Sequence, residues 1–135
     1  MYLTVGTDIE EIERFESVLT NRRMMKRCFS EQERTYFESR GQGAAESAAA
    51  AYCAKEAFGK AVGTGITVSM LGELELLHDA AGAPYLQLHG KLAEQYANMK
   101  LSVSVSHSAS YAIATVLAYR ETPEAESEGD DGDAC

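Results

Sequence analysis

The sequence predicts an α+β fold in which an antiparallel sheet packs against a long helix. Two observations favour this class. Segments with helical periodicity and segments with strand-like alternation occur in one chain without regular βαβ alternation, and the alternating segments are joined by short turns. The length of 135 residues fits one domain, and the shares of 45% apolar and 24% charged residues are close to globular averages.

The first third of the chain is expected to hold one strand and two helices. Residues 2–9 are expected to form a strand that enters the core. Residues 10–20 carry apolar side chains at helical spacing, namely Ile12, Phe15, Val18 and Leu19. Ser30 precedes Glu33 by three residues, which is the signature of a capping box for a helix that ends near Ser39.

The middle of the chain is expected to contain a long helix and a hairpin. An alanine-rich helix is expected over residues 46–62, and Gly63 is placed to end it. Residues 71–78 and 84–89 flank the turn-like segment DAAGA, which predicts a β-hairpin. The following residues, 90–98, suit a short helix.

Two paired strands are expected after this helix. Leu101, Val103 and Val105 alternate with serines up to His107, which is typical of a half-buried strand. After a turn at residues 108–110, the segment YAIATVLAY is expected to be its antiparallel partner.

The net charge of −9 is unevenly distributed. Residues 121–135 hold seven of the 21 acidic residues and no basic residue, whereas residues 1–120 hold 14 acidic and 12 basic residues. This tail has no large apolar side chain and cannot bury enough surface to become ordered. We therefore expect a folded domain over residues 1–120 and a disordered acidic tail. The negative net charge disfavours nonspecific binding to nucleic acids.

Localisation is also constrained by the sequence. Apolar stretches are far shorter than the ~20 residues that span a bilayer, and the N-terminus lacks the basic and long apolar segments of a signal peptide. The three cysteines, Cys28, Cys53 and Cys135, are an odd number without the spacing of a disulfide framework. We therefore expect a cytoplasmic protein with reduced thiols and no role in a membrane.

Two segments carry candidate metal or phosphate ligands. Asp8 is expected at the end of the first strand, where a carboxylate can face a cleft, and the alternative is an N-cap for a helix that starts near Glu10. Tyr52, Glu56 and Lys60 are four residues apart and therefore share one helix face. Such a face can bind a metal, a phosphate and a planar group, and the alternative is an exposed Glu–Lys pair.

Weaker candidates follow on the same chain. The turn Gly63-Thr64-Gly65 can expose N–H groups that bind anions, and the alternative is a glycine stop for the helix. His107 is expected to end a strand whose alternate side chains point into the core, where a hydrogen-bonded structural histidine is the more common role.

A basic cluster is formed by Arg14 and four residues that follow it, Arg22, Arg23, Lys26 and Arg27. In a chain of negative net charge, this cluster suits an acidic protein partner or a phosphate-rich ligand. The alternative is a solvated helix face.

Five motifs occur together and in one order. They are GTDIEEIER at 6–14, FSEQE at 29–33, AKEAFGKAVGTG at 54–65, GAPY at 82–85 and SVSHSASYAIA at 104–114. Together they resemble the holo-acyl-carrier-protein synthases, the small 4'-phosphopantetheinyl transferases of fatty-acid synthesis. The resemblance extends from residue 2 to about residue 120.

The resemblance implies a reaction and its residues. A serine hydroxyl of an acyl carrier protein attacks the β-phosphate of coenzyme A, the 4'-phosphopantetheine arm is transferred, and 3',5'-ADP leaves. Asp8 and Glu56 match the carboxylates that hold Mg²⁺, which prefers one or two carboxylates plus phosphate oxygens and waters. Lys60 matches the family lysine near the phosphates, the Gly63–Gly65 turn matches the segment near the nucleotide, and His107 matches the family histidine at the same site. The proton acceptor stays open between a metal-bound water, Glu56 and His107.

The resemblance also implies the assembly and the partner. It implies the phosphopantetheinyl transferase fold, a homotrimer with active sites between subunits, and docking of the acidic carrier protein on Arg14 and the Arg22–Arg27 run. One position departs from the family pattern, because many relatives have an arginine where Ala51 stands. If that arginine contacts a coenzyme A phosphate, this chain needs another base for the contact.

Two other functions fit the sequence. One is a non-catalytic module that binds a carrier protein or coenzyme A, and the other is a small interaction domain whose acidic tail recruits partners. Retention of Asp8, Glu56, Lys60 and His107 together favours the enzyme.

Overall fold

A three-stranded antiparallel sheet and one long helix form the centre of this computed structural model, which describes residues 1–121. The strand order is β1-β5-β4, with β1 at Tyr2–Glu11, β4 at Lys100–His107 and β5 at Tyr111–Arg120. The predicted α+β class and the predicted pairing of the last two strands are confirmed. The predicted acidic tail lies outside the described residues apart from Glu121.

The helices and the hairpin surround this sheet. A second sheet pairs strand β2 (Leu74–His78) with strand β3 (Pro84–Leu88), which confirms the predicted hairpin. The α-helices of the described chain are α1 (Arg14–Leu19), α2 (Arg22–Cys28), α3 (Glu31–Ser39), α4 (Ala44–Ala61), α5 (Val68–Leu71) and α6 (Gly90–Gln95).

Strand β1 is longer than predicted. It pairs with β5 over its whole length, so that Asp8 lies opposite Ala114 and Glu10 lies opposite Ala112. The prediction of a helix from residue 10 was therefore wrong, because helix α1 begins only at Arg14. The physical reason is that a continuous ladder of strand pairing overrides the helical spacing of a few apolar side chains.

Helices α2 and α3 are set by their N-caps. Asn21 accepts the backbone N–H of Met24 at 3.1 Å, and the basic run that follows forms helix α2, which the periodicity of residues 10–20 did not predict. The capping box of α3 is confirmed. Ser30 Oγ accepts the N–H of Glu33 at 3.2 Å, and Glu33 Oε1 accepts the N–H of Ser30 at 2.9 Å.

Helix α4 lies against the sheet at a point where β1 has no side chain. A Cβ atom at Gly6 would clash with the backbone oxygen of Ala57 and the backbone nitrogen of Ala61. Glycine therefore permits a close approach that brings the C-terminal half of α4 onto β1. The helix starts two residues earlier than predicted, and Gly63 follows its end with a φ of +82°, as the glycine stop requires.

Other predicted boundaries differ by a few residues. Residues 68–71 form helix α5, capped by Thr67, so strand β2 begins at Leu74 instead of residue 71. Helix α6 ends at Gln95, three residues earlier than predicted. Such boundaries depend on which backbone groups find partners across the sheet, which periodicity does not reveal.

The core lies between α4 and the sheets. Phe15, Phe29, Phe37 and Phe58 are each at most 3% exposed, and the alanines of β5 and α4 pack closely beneath them. Cys28 and Cys53 are buried free thiols, as expected. Helices within residues 1–121 are too short or too polar to cross a membrane.

Candidate active site

A contact between two predicted site residues joins β1 to the last turns of α4. Lys60 Nζ lies 3.2 Å from Asp8 Oδ1 and donates to the backbone oxygen of Thr7 at 3.0 Å. The N-cap interpretation of Asp8 is wrong, because Asp8 is in the middle of β1 and helix α1 begins six residues later. The structure therefore brings Asp8 and Lys60 together from positions 52 residues apart.

A second carboxylate lies beside Asp8. Side chains two residues apart in a strand point to the same face, so Glu10 faces α4 together with Asp8. Burial, followed by the hydrogen-bonding and charge interactions with Asp8 and the charge of Glu56, raises the pKa of Glu10 to about 7, although Arg14 opposes this shift. The carboxylates of Asp8, Glu10 and Glu56, here called the carboxylate cluster, thus repel one another.

One oxygen of this cluster is unpartnered. Asp8 Oδ2 is buried, and among residues 1–121 no hydrogen bond to it is formed. Burying a carboxylate oxygen without a donor or cation is costly. An ion that binds there would satisfy this oxygen and reduce the repulsion.

Glu56 reaches the cluster from α4. Its interaction with the hydroxyl of Tyr52, one turn earlier, adds to burial in raising the pKa of Tyr52 to about 12. The predicted shared face of Tyr52, Glu56 and Lys60 is therefore present. The ring of Tyr52 also packs on Phe15 at 5.7 Å, which fixes the start of α1 against α4.

The donor set fits magnesium. Mg²⁺ usually keeps several waters and binds through one or two carboxylates and substrate phosphates. Asp8 and Glu56 supply such carboxylates, and Asp8 Oδ2 is a buried oxygen in need of a cation. In the described chain, His, Cys, Asp and Glu do not form a ready-made cage of three or more ligands. The residues therefore fit an ion that is completed by substrate and water.

The turn after α4 ends the helix. The N–H groups of Gly63, Thr64 and Gly65 donate to the carbonyl oxygens of Lys60 and Gly59 at 3.0–3.2 Å. The expectation that this turn exposes N–H groups is wrong, because these groups are used by the helix terminus. Contact between this turn and a nucleotide stays a prediction.

His107 lies apart from the other site residues. Its Nδ1 is 3.0 Å from Glu46 Oε2, near the start of α4, and its side chain is 52% exposed instead of buried in the core as expected. Glu46 precedes Glu56 by ten residues, which is roughly 15 Å along a helix. Through the sheet register His107 lies level with Glu10 but two strands away, which is roughly 10 Å.

The basic cluster is exposed on α1 and α2. Arg22, Arg23, Lys26 and Arg27 are all exposed. Arg14 differs from them, because its Nη1 lies 2.6 Å from Glu10 Oε1 and its guanidinium lies over the Tyr52 ring at 5.6 Å.

Three residues of interest were missed or left unexplained by the sequence. Glu10 and Glu46 were not predicted as site residues, and extending the alternation of β1 by two residues would have placed Glu10 beside Asp8. Ala51, at the position where the resemblance led us to expect an arginine, is buried at 1% exposure and contributes no charge.

Comparison with known proteins assigns the family. The model of the 4'-phosphopantetheinyl transferase superfamily matches residues 4–116. The chain therefore belongs to this superfamily, and the protein is a phosphopantetheinyl transferase. Within it, the relatives are holo-[acyl-carrier-protein] synthases. The protein of that name from Ruminiclostridium cellulolyticum is 41% identical over 120 residues, covering 84% of this chain and 90% of the relative. The one from Treponema denticola is 35% identical over 120 residues, covering 87% and 98%.

Solved structures agree with this assignment. A holo-(acyl-carrier-protein) synthase from Bacillus anthracis in complex with CoA (3',5'-ADP) superposes with a TM-score of 0.74 and 32% identity, over 87% of this chain and 96% of the other. An ACPS–CoA complex from Chronobacterium ammoniagenes gives a TM-score of 0.76 and 29% identity, over 90% and 100%.

Proposed function

We propose that this protein transfers the 4'-phosphopantetheine group of coenzyme A to a serine of apo acyl carrier protein in fatty-acid biosynthesis, in a Mg²⁺-dependent reaction that releases 3',5'-ADP. The observation that carries this proposal is the cluster of Asp8, Glu56 and Lys60, with its buried and unpartnered Asp8 oxygen. The names of the relatives and the coenzyme A complexes of similar folds support the substrates.

Each site residue has a distinct task in this proposal. Asp8 and Glu56 hold Mg²⁺, which when bound neutralises charge on the phosphates. Lys60 contacts the diphosphate as a point charge, and its side chain, which is 53% exposed, can be reached from solvent. In this proposal Glu56, which belongs to the cluster, accepts the proton of the attacking serine. The new serine O–P bond forms as the bond to the 3',5'-ADP oxygen breaks.

His107 and the turn Gly63–Gly65 contact the nucleotide in this proposal. Within one chain, His107 lies roughly 10 Å from Glu10 through the sheet register. We propose that the active sites form between subunits, with His107 of one subunit facing the Asp8 cluster of its neighbour.

The outer face of the sheet supports such an assembly. Val5 and Ile9 of β1 are 60% and 59% exposed, and they lie opposite Leu117 and Ile113 of β5, which are 39% and 41% exposed. Contiguous apolar patches of this kind mark interaction surfaces. We propose that this face joins three copies of the chain.

Light scattering after size exclusion tests the assembly. We expect a mass of three chains for the unchanged protein and a smaller species for Ile9→Lys, because a buried lysine would lack a partner. Met24→Lys, at an exposed apolar residue of α2, is the matched control and should keep the assembly. A single-chain mass for the unchanged protein would contradict the trimer.

The exposed basic cluster supports docking of the carrier protein. The positive surface consists of Arg14, Arg22, Arg23, Lys26 and Arg27, and Arg14 contacts Glu10 of the carboxylate cluster. Complementary charge accelerates the encounter with an acidic protein and sets the register in which the two proteins dock.

A mass measurement tests the reaction itself. Apo carrier protein, coenzyme A and Mg²⁺ are mixed with the full chain, and the carrier should gain the mass of one phosphopantetheine group. Glu56→Gln should lose most of this activity, whereas Glu16→Gln on the exposed surface of α1 should retain it. A carrier mass that stays unchanged at high enzyme concentration would reject the proposed reaction.

A further inference from the structure

We propose that Glu46 positions His107 for the reaction, by holding the hydrogen of the imidazole ring on Nδ1 so that Nε2 is presented to coenzyme A. The contact between His107 and coenzyme A rests on the proposed function. The effect of Glu46 on the ring is internal to one chain, so it can be measured without substrate.

The first step is the pair of contacts that the imidazole ring makes. His107 Nδ1 lies 3.0 Å from Glu46 Oε2 and 3.3 Å from the backbone oxygen of Ser108. A carboxylate oxygen and a carbonyl oxygen both accept hydrogen bonds, so Nδ1 is the nitrogen that carries a hydrogen. The opposite tautomer would set a lone pair of Nδ1 against two acceptor oxygens. The partners of Nδ1 therefore fix the tautomer of His107.

The second step is the availability of the other ring nitrogen. Within residues 1–121, the polar contacts of the ring are made by Nδ1, and the His107 side chain is 52% exposed. Nε2 is therefore open to a ligand from outside the chain. When the ring takes up a second proton, Nε2 can donate to a phosphate oxygen while the negative charge of Glu46 lies beside the ring.

The third step is the rigidity of the two elements that meet here. Glu46 lies in the first turn of the 18-residue helix α4, where the helix N-terminus stabilises a negative charge. Ala45 and Ala48 of the same helix end are buried in the core. His107 is the last residue of β4 and lies opposite Ala112 of β5. The contact thus joins two elements that are fixed independently, as a positioning role requires.

The pair gives the ring a direction and adds little to stability. The Glu46 side chain is 35% exposed and that of His107 is 52% exposed. Ion pairs between exposed side chains contribute little to the free energy of folding. Loss of this contact should therefore change the ring and its ligand more than the fold.

Helix α4 then serves two active sites in the proposed assembly. Its C-terminal half carries Glu56 and Lys60, which belong to the site of their own chain. Glu46 lies roughly 15 Å before Glu56 along the helix and holds His107, which faces the neighbouring subunit in the proposed function. One helix therefore places groups for its own site at one end and for the neighbour's site at the other.

Nuclear magnetic resonance of the full chain tests the tautomer. A long-range proton–nitrogen correlation spectrum at about pH 8.5, where imidazole rings are ordinarily neutral, shows which nitrogen of each histidine carries the hydrogen. His107→Ala identifies the signals of His107 by their loss. We expect Nδ1–H in the unchanged protein and in Glu46→Gln, whose amide oxygen can accept the same bond. Glu46→Ala should shift the ring toward Nε2–H, the form that free histidine favours.

A matched control for this spectrum is Glu31→Ala. Glu31 is an exposed acidic residue in the first turn of another helix, α3, and its loss should leave the His107 signals unchanged. An Nε2–H ring in the unchanged protein, or a ring that Glu46→Ala does not alter, would overturn the inference.

Calorimetric titration with coenzyme A in the presence of Mg²⁺ tests the consequence for binding. His107→Ala should raise the dissociation constant about tenfold and Glu46→Ala about fivefold, the values of a charge-assisted and of an ordinary hydrogen bond. Glu46→Gln should stay within about twofold. Adding Glu46→Ala to His107→Ala should cause no further loss, because the two residues act as one unit. The urea midpoint should be the same for Glu46→Ala and Glu31→Ala.

The binding results separate this inference from the proposed function. If His107→Ala weakens coenzyme A binding and Glu46→Ala does not, the positioning role is wrong and the proposed function stands. If Glu46→Ala weakens binding equally with and without His107, Glu46 acts on its own, which also contradicts the inference. If His107→Ala leaves binding unchanged, the nucleotide contact of the proposed function is wrong, and the inference fails with it.

Discussion

Helix α4 carries two lysines five residues apart, Lys55 and Lys60, and each makes an ion pair with a carboxylate from another element. Lys55 Nζ lies 2.7 Å from Glu33 Oε1, and both side chains are 0% exposed. Lys60 Nζ lies 3.2 Å from Asp8 Oδ1, and the Lys60 side chain is 53% exposed. The same residue types therefore form two different ion pairs on one helix. We call the fully buried Lys55–Glu33 pair the closed pair and the partly exposed Lys60–Asp8 pair the open pair.

The two pairs differ in how many of their polar atoms have hydrogen-bond partners. Lys55 also donates to the backbone oxygen of Cys28 at 2.7 Å, and Glu33 also accepts the N–H groups of Ser30 and Leu76. By contrast, Asp8 Oδ2 has no partner among residues 1–121. A satisfied pair holds elements together, whereas an unsatisfied one is prepared for a ligand. The Lys55 pair ties α2, α3 and β2 to α4, and so positions the helix that carries four residues of the basic cluster.

The largest effect is expected from breaking the closed pair. Burial lowers the pKa of Lys55, and the charge of Glu33 opposes this shift, so each group depends on the other. Lys55→Met should reduce the free energy of unfolding by about 3–5 kcal/mol, because Glu33 would remain buried without its cation. Urea denaturation measures this value. Lys60→Met is the matched control and should change it by less than about 1 kcal/mol. Equal losses for both variants would contradict the comparison.

The open pair should affect catalysis instead of stability. Asp8→Asn should lower kcat/KM by about 100-fold or more, since it removes a carboxylate that is proposed to hold Mg²⁺. The free energy of unfolding should stay the same or rise, because the change relieves repulsion among Asp8, Glu10 and Glu56. Carrier mass gain and urea denaturation measure the two quantities. Marked destabilisation by Asp8→Asn would show that this carboxylate is structural.

A smaller effect is expected at the lysine of the open pair. Lys60→Gln should raise KM for coenzyme A about tenfold, the value of one charge-assisted hydrogen bond to a phosphate. Initial rates at varied coenzyme A concentration measure it. Lys91→Gln, an exposed lysine at the start of α6, is the control and should leave KM unchanged. A normal KM in Lys60→Gln would remove Lys60 from the diphosphate contact.

The smallest effect is expected from a charge reversal in the basic cluster. Arg23→Glu should raise KM for the carrier protein about threefold and reduce its dependence on salt, because exposed charges are screened. Lys91→Glu carries the same charge change outside the basic cluster and should have little effect. If both variants behave alike, net charge and not the position of the cluster governs docking.

Features that depend on neighbouring residues were predictable from the sequence. The capping box of Ser30 and Glu33, the hairpin around DAAGA and the glycine after α4 were predicted and are present. The order of five motifs also identified the family. The capping box, the hairpin and the glycine stop each involve residues within a few positions of one another, so local sequence determines them.

Features that depend on distant contacts were not predictable. Residues 10 and 11 were expected in a helix but join β1, because β5 offers them backbone partners that lie 102 and 100 residues away. His107 was expected to point inward, yet it pairs with Glu46 at the surface. Glu33 was predicted as a cap only, although it also neutralises a lysine 22 residues later.

The sequence by itself determined helices α3, α4 and α6, the hairpin, the family and the set of charged residues that the proposed reaction needs. Only the tertiary structure decided which of these charges meet. Gly6 allows α4 to lie directly on β1, which places Lys60 at Asp8 and leaves Lys55 one and a half turns away in the core beside Glu33. Helical periodicity shows that two lysines differ in direction, but the burial of one and the exposure of the other arise from the elements that pack around them.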